Sequence, residues 1–213
     1  MGYALGLALC LLGGGANVAC RTSVGGRSAA DPAFAPSAAS AALEAWPPEV
    51  AAAERALREA RPDEAERILD AAGGLDPAAP ERSWLWVDLG LARARTEAVR
   101  RAVDALPDGP FVTVLRAHAR RDPADRLERV RDVRGGLAGP WADLERALAY
   151  ADAGERHDAV RGAAARALAA GPRYVRREAA LVACRDAIEG DAAARALEAA
   201  ARAAAEDPLD PRP

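Results

Sequence analysis

The stretch Ala60–Pro77 reads Ala-Arg-Pro-Asp-Glu-Ala-Glu-Arg-Ile-Leu-Asp-Ala-Ala-Gly-Gly-Leu-Asp-Pro and predicts a short helix with a turn at each end. Pro62 suits the first helical turn, where its missing N–H would have no partner, and the acidic residues after it complement the positive end of the helix. Ala65, Leu69 and Ala72 then follow at positions i, i+4 and i+7, which places them on one narrow apolar face. Gly73 and Gly74 end the predicted helix.

The composition of the whole chain favours an all-α fold. The 213 residues are 51% hydrophobic but only 4% aromatic, and alanine and arginine, both good helix formers, dominate the sequence. Residues that favour strands occur singly, the longest such cluster being Phe111–Val114. We therefore expect helices that pack through small side chains.

The charge balance gives no reason to expect general binding to nucleic acid or to anionic membranes. Twenty-nine basic and 32 acidic side chains leave a formal net charge of −3, and every basic residue is an arginine. The arginines are mixed with Asp and Glu along the chain, a pattern typical of solvated helix faces.

The N-terminal residues have the pattern of a secretory signal. Residues 3–16 are uncharged and too few for a membrane span, which needs about 20 apolar residues. Asn17-Val18-Ala19-Cys20 follows and resembles the lipobox of bacterial lipoproteins. That resemblance implies cleavage before Cys20, attachment of diacylglycerol to its thiol and, with no acidic residue after it, sorting to the outer membrane.

Two alternatives remain open for this segment: an ordinary cleaved signal or uncleaved anchor, and a cytoplasmic protein with an accidental apolar start. Ser, Ala, Gly and Pro dominate the residues after Cys20, as in a flexible tether. We divide the chain into a signal peptide at 1–19, a lipidated cysteine and tether at 20–47, a helical repeat domain at 48–208 and a tail at 209–213.

Prolines recur from the end of the first predicted helix onward. The series is Pro77, Pro110, Pro140, Pro172 and Pro208, and the intervals between successive prolines are 33, 30, 32 and 36 residues. This spacing, together with the small–large–small face of 60–77, resembles the tetratricopeptide repeat. The resemblance implies an α-solenoid of about five antiparallel helix-turn-helix repeats. The first helices of the repeats are predicted at 49–60, 81–93, 111–121, 141–153 and 174–188.

Later repeats are matched to the same motif through their small residues. The second-helix faces are assigned to Ala98, Ala102 and Ala105 in the second repeat and to Ala196, Ala200 and Ala203 in the fifth. The fourth repeat is matched through Tyr150, Gly154 and Ala159, with Trp141 near its start. The third is the weakest, because Leu127, Val130 and Val133 are larger than the motif prefers, and Gly135-Gly136 is expected to end its helix. Trp46 is expected to cap the first helix pair.

No pattern of catalytic, cofactor-binding or metal-ligating residues is recognised. His118 and His157 have no Cys or His at ligand spacing, and Cys184 lies in an apolar run typical of a buried position. The carboxylate pairs Asp63/Glu64 and Asp122/Asp125 stand at predicted helix starts, where capping accounts for them. The prediction is a protein without cofactor or metal, and with Cys20 as the lipidation site.

The resemblance to tetratricopeptide repeats implies binding of a protein or peptide on the concave side, which the first helices line. Arg116, Arg120 and Arg177 are expected to face outward there and could bind carboxylates. The predicted function is that of a non-catalytic envelope lipoprotein that binds another protein, with its membrane contact through the lipid and with no nucleic acid partner. An enzyme with an unrecognised site and a cytoplasmic scaffold are the alternatives.

Overall fold

The computed structural model describes residues 46–154 and 157–207, which lie in one compact unit, Glu44–Pro213. The described residues form ten helices and no strand. The helices are α1 (Pro48–Arg58), α2 (Pro62–Ala71), α3 (Pro80–Ala92), α4 (Thr96–Asp104), α5 (Pro110–His118), α6 (Pro123–Val130), α7 (Gly139–Asp152), α8 (His157–Ala170), α9 (Arg173–Glu189) and α10 (Ala193–Ala205). The all-α prediction is confirmed.

Proline sets the start of half of these helices. The first residue of α1, α2, α3, α5 and α6 is a proline, whose fixed φ suits the first turn. Of the recurring prolines, Pro110 opens α5, Pro140 is the second residue of α7, and Pro172 is the residue just before α9. Pro208 lies outside the described residues.

The helices pack as consecutive pairs, as in an all-α helical repeat fold. Each helix contacts the next one along the chain, and the odd-numbered helices also contact one another in series, from α1 to α9. The even-numbered helices pack mainly on their odd-numbered neighbours. We call α1, α3, α5, α7 and α9 the inner helices and the other five the outer helices.

The stretch 60–77 folds as its pattern predicts. Helix α2 has Ala65 and Leu69 fully buried, and it ends before Gly73 and Gly74. Ala72, the third residue of the predicted face, is the C-cap and is only partly buried. Both glycines have positive φ, at 107° and 57°, a region that side chains with a Cβ rarely adopt. The glycine pair therefore turns the chain from the first helix pair to the second.

The alanine assignment in the second repeat is wrong by one position. Ala98 and Ala105 are exposed, and the buried face of α4 carries Val99 and Val103 instead. The reason is a gap left by Gly90 on α3, where an added Cβ would lie 2.4 Å from Val99 Cγ2. A branched side chain on α4 fills the space that a glycine on α3 leaves open.

Buried positions and a helix end also differ from prediction in α6, α8 and α10. In α8 the first fully buried residue is Val160 rather than Ala159, and in α10 Ala200 is exposed while Ala196 and Ala203 are buried. Helix α6 ends at Val130, so Gly135 and Gly136 lie in the following loop and do not end the helix. Alanine occurs on every face of these helices, and its presence therefore does not identify the buried one.

The first and last inner helices meet. Trp46, which immediately precedes Pro47 and α1, packs edge-on against Tyr174 of α9 with ring centroids 5.2 Å apart. Tyr174 lies 6.1 Å from Trp141, which in turn lies 5.1 Å from Trp84. Trp46 therefore does not cap the first helix pair as expected. Three of the chain's four tryptophans instead form one buried group among the inner helices.

The predicted signal peptide, Cys20 and nearly all of the tether lie outside the described residues, and so does the tail at 209–213. Within the described residues, none of the helices combines the length and the apolar character that a membrane span requires.

Replacing Gly90 by Ala tests the packing of α3 against α4. The added Cβ would clash with buried Val99, and overpacking of this kind costs about 1–3 kcal/mol. Gly162→Ala is a matched control, because its Cβ would meet only Arg166 at 3.7 Å and the helix gains up to about 1 kcal/mol from alanine. In urea unfolding we expect Gly162→Ala to be the more stable variant. Equal free energies of unfolding would contradict the observed packing.

Candidate functional site

The three arginines predicted to face a ligand do not form one exposed surface. Arg177 is wrongly predicted as exposed: only 4% of it is accessible. Its guanidinium donates to Glu54 of α1 at 3.0 Å, and its Cζ lies 5.0 Å from the ring centre of Trp46. Arg177 thus joins α9 to α1, because a buried guanidinium requires a carboxylate partner.

Arg116 and Arg120 brace the connection between α4 and α5. Arg116 donates to Asp108 at 2.6 Å and to the carbonyl of Leu106 at 2.8 Å. Arg120 donates to Asp104 at 3.1 Å. Both arginines donate to neighbouring residues of the chain through their terminal nitrogens, which gives them a structural role. Nε of Arg120 is buried without a hydrogen-bond partner within the described residues.

His118 is at the centre of a buried polar network that the sequence did not indicate. One ring nitrogen lies 2.7 Å from Asp88 of α3, and the other lies 2.8 Å from Glu145 of α7. The imidazole also stacks on Trp84, with centroids 3.8 Å apart. Three inner helices are therefore joined through one side chain.

The network continues to an outer helix. Glu145 is fully buried and accepts a second hydrogen bond from Arg126 of α6 at 2.6 Å. Arg126 also donates to Asp152 at the end of α7, at 2.6 Å. The charges alternate in sign along this path, which offsets the cost of removing them from water.

The electrostatics keep His118 protonated. Burial lowers its pKa, but the charges of Asp88 and Glu145 outweigh burial and raise the pKa to about 9. For Glu145, burial acts in the opposite direction and raises the pKa. The positive charges of His118 and Arg126 outweigh burial, so the pKa of Glu145 lies below its ordinary value. With both nitrogens donating to carboxylates near neutral pH, His118 has no lone pair to act as a general base.

A group of carboxylates lies beside this network. Burial raises the pKa of Glu178 to about 7, against the opposing charge of Arg177, and Glu54 and Asp88 raise it further. Within the described residues, no group of three or more His, Cys, Asp or Glu side chains is arranged to hold a metal ion.

The remaining residues singled out in the sequence lie at separate places. His157 is half exposed on α8 and lies 2.7 Å from Asp186 of α9. Cys184 is buried among alanines. Asp122 accepts a hydrogen bond from the backbone N–H of Ala124, which confirms the predicted cap.

An open cleft lies on the outer side of the structure, where α6, α7 and α8 meet. Its volume is about 760 Å³, within the range of ligand-binding clefts. We define the arginine cleft by its four guanidinium-bearing residues, Arg131, Arg134, Arg146 and Arg166, and by the acidic residues Glu128 and Asp143. Leu127, Val133 and Tyr150 supply its apolar parts.

Arg146 is the fixed member of this cleft. Its guanidinium donates to Asp143 at 2.9 Å, to the carbonyl of Val133 at 2.8 Å and to the carbonyl of Val130. Arg166 of α8 donates to the same carboxylate of Asp143 at 3.0 Å. Asp143 is thus shared between two arginines.

The cleft is electropositive. Burial lowers the pKa of Arg146, and the like charges of Arg134 and Arg166 lower it further, against the attraction of Asp143. Arg134 is exposed and has neither a hydrogen bond nor an ion pair to a carboxylate within the described part of the chain. An anion entering the cleft would therefore be attracted by guanidinium charge that the protein itself does not neutralise.

The cleft arises from the irregularity of the third repeat. Helix α6 has only eight residues, and the loop after it turns through Gly135 and Gly136, both at positive φ. Leu137 in that loop is 91% exposed. The large residues and glycine pair that weaken the repeat pattern here were the available sequence signal for the cleft, although they gave no indication of its charge.

The raised pKa of His118 predicts that stability falls with increasing pH. Because the folded-state pKa of about 9 exceeds the ordinary value of 6.5, the stabilisation is complete below pH 6.5 and is lost as pH rises through 9. We expect the free energy of unfolding to fall by up to about 3 kcal/mol over this range. Urea unfolding of the chain from Glu44 onward, repeated between pH 6.5 and pH 9, measures this change in the free energy of unfolding.

His118→Gln should remove most of this pH dependence, whereas the control variant His157→Gln should keep it. A slope that survives unchanged in His118→Gln would show that another group is responsible.

Comparison with known proteins adds no relative on which to base a function. No protein-family model, curated protein or solved structure matches this chain.

Proposed function

We propose that this chain is a bacterial envelope lipoprotein, anchored to the outer membrane through Cys20, that binds another protein without catalysing a reaction. In this proposal its helices form a tetratricopeptide-like solenoid, and the partner occupies the arginine cleft. The observation that carries the proposal is the cleft itself: an open, charged hollow on a scaffold of paired helices.

The order of the helices supports the solenoid interpretation. Five consecutive helix pairs follow one another, and the inner helices contact in series. A single pair of this kind cannot bury its apolar face, so stacked pairs are the stable arrangement. The proline spacing near 34 residues agrees with the repeat length of this class.

The inner helices expose less surface for binding a partner than the resemblance to tetratricopeptide repeats implied. Trp84, Trp141 and Tyr174 are almost fully buried there, and Arg177 is paired with Glu54. The cleft instead presents Arg134, Arg166 and the adjacent Leu137 to solvent. Arginine and tyrosine with an exposed apolar residue beside them are typical of interface centres. We therefore place the binding surface on the outer side.

The lipobox-like residues Asn17-Val18-Ala19-Cys20 support the anchor. Metabolic labelling with palmitate in a bacterial host should label the wild-type protein and leave Cys20→Ala unlabelled. Cys10→Ala, which also removes a cysteine from the N-terminal segment, should remain labelled. Persistent labelling of Cys20→Ala would contradict anchoring through Cys20. An unlabelled wild-type protein would contradict the lipid anchor and favour an ordinary signal or anchor, or a cytoplasmic protein.

Site-specific photo-crosslinking in intact cells tests the binding surface. A benzoylphenylalanine placed at Leu137 should give a discrete adduct with a second protein, because Leu137 lies in the loop at the cleft. The same probe at Leu197 of α10, which is also exposed (73%), is the control and should give none. Absence of an adduct at Leu137, or equal adducts at both positions, would contradict the proposal.

A further inference from the structure

We infer that the arginine cleft recognises an acidic segment of the partner: an extended peptide in which glutamate or aspartate side chains alternate with apolar ones. This inference rests on the proposed function and specifies the chemistry of its binding surface. The charge, the geometry and the apolar lining of the cleft support it.

The charge balance of the cleft leaves guanidinium groups available to a ligand. Four arginines line it with two acidic residues, and one of these, Asp143, serves both Arg146 and Arg166. Arg131 pairs with Glu128 at 3.0 Å and with Asp132, which follows it in the chain, at 3.6 Å. Arg134 has no acidic partner within the described residues. Carboxylates are planar acceptors that match the guanidinium fork, and they would complete this balance.

The geometry favours a ligand that uses one fixed and several adaptable contacts. Arg146 is held by carbonyl groups of the loop and by Asp143, so its orientation does not have to be ordered on binding. Arg131, Arg134 and Arg166 are exposed and can adjust to the spacing of successive acidic side chains.

The apolar parts of the cleft favour a peptide over a small free anion. Leu127, Val133 and Tyr150 are only partly buried and lie among the arginines. In the adjoining loop, Leu137 is almost fully exposed. A ligand with both carboxylates and apolar side chains would cover these surfaces and remove them from water.

The N-terminal segment of the same chain lacks the complementary charge. Residues 1–43 contain two arginines, Arg21 and Arg27, and one acidic residue, Asp31. A segment with a net positive charge would be repelled by the cleft. A separate acidic partner is therefore the occupant that the charges favour.

The test uses the full-length lipidated protein in non-ionic detergent and a fluorescein-labelled hexapeptide, Glu-Leu-Glu-Leu-Glu-Leu. Fluorescence anisotropy should show binding that weakens as salt rises, because the charges lie near the surface. The matched peptide with Gln in place of Glu should bind at least tenfold more weakly. Equal binding of the two peptides would overturn the inference.

Arg134→Gln should weaken binding of the acidic peptide about tenfold, the effect of losing one charge-assisted hydrogen bond. Arg101→Gln on α4 is the control, since Arg101 is also exposed and the change in net charge is the same. Unchanged urea unfolding would show that both variants are folded. Binding by Arg134→Gln at wild-type strength would overturn the inference, and so would displacement of the peptide by equimolar inorganic phosphate.

The two proposals fail separately. An adduct at Leu137 together with no binding of the acidic peptide would retain a partner at the cleft and reject its acidic character. Loss of both would reject the cleft as a binding surface.

Discussion

The contact between the first and last inner helices is the constraint on which the rest of the structure depends. Glu54 and Arg177 are 123 residues apart in sequence, yet they form a buried ion pair at 3.0 Å. Trp46 and Tyr174 pack beside it. Because α1 and α9 meet, the aromatic side chains between them are removed from water, and every polar group among the inner helices requires a partner within the chain.

The polar network around His118 satisfies that requirement for its own members, whereas the buried indole N–H of Trp46 has no hydrogen-bond partner within the described residues. Its carboxylates and cations alternate, so that no buried charge is left uncompensated. Such networks rarely add much stability compared with apolar packing, but removing one member is costly. We interpret the network as fixing how α3, α5 and α7 are aligned. A binding surface for a partner is then more readily available on the outer side, where the short helix α6 leaves the open, positively charged arginine cleft.

The local features of the fold could be predicted from the sequence, and the long-range ones could not. Prolines and glycine pairs marked helix starts and turns, and the first helices agree with prediction to within about three residues at either end. The buried faces of α4 and α8 were misassigned because alanine occurs on all sides of these helices. His118 and Glu145 gave no local signal, since their contacts join residues 27 positions apart. The charge of the cleft likewise depends on arginines from α7, from α8 and from the loop after α6, which only the fold brings together.

The most direct test of this account is a double-mutant cycle on Glu54 and Arg177. Urea unfolding would give the free energies of unfolding of the wild-type protein, of Glu54→Gln, of Arg177→Met and of the double variant. If α1 and α9 meet as described, the effects of the two changes on the free energy of unfolding are coupled by about 1–3 kcal/mol. Either single change already removes the ion pair, so the second change has no ion pair left to remove. Strictly additive effects would mean that the two helices do not contact each other, and the inner face would then be open to a partner.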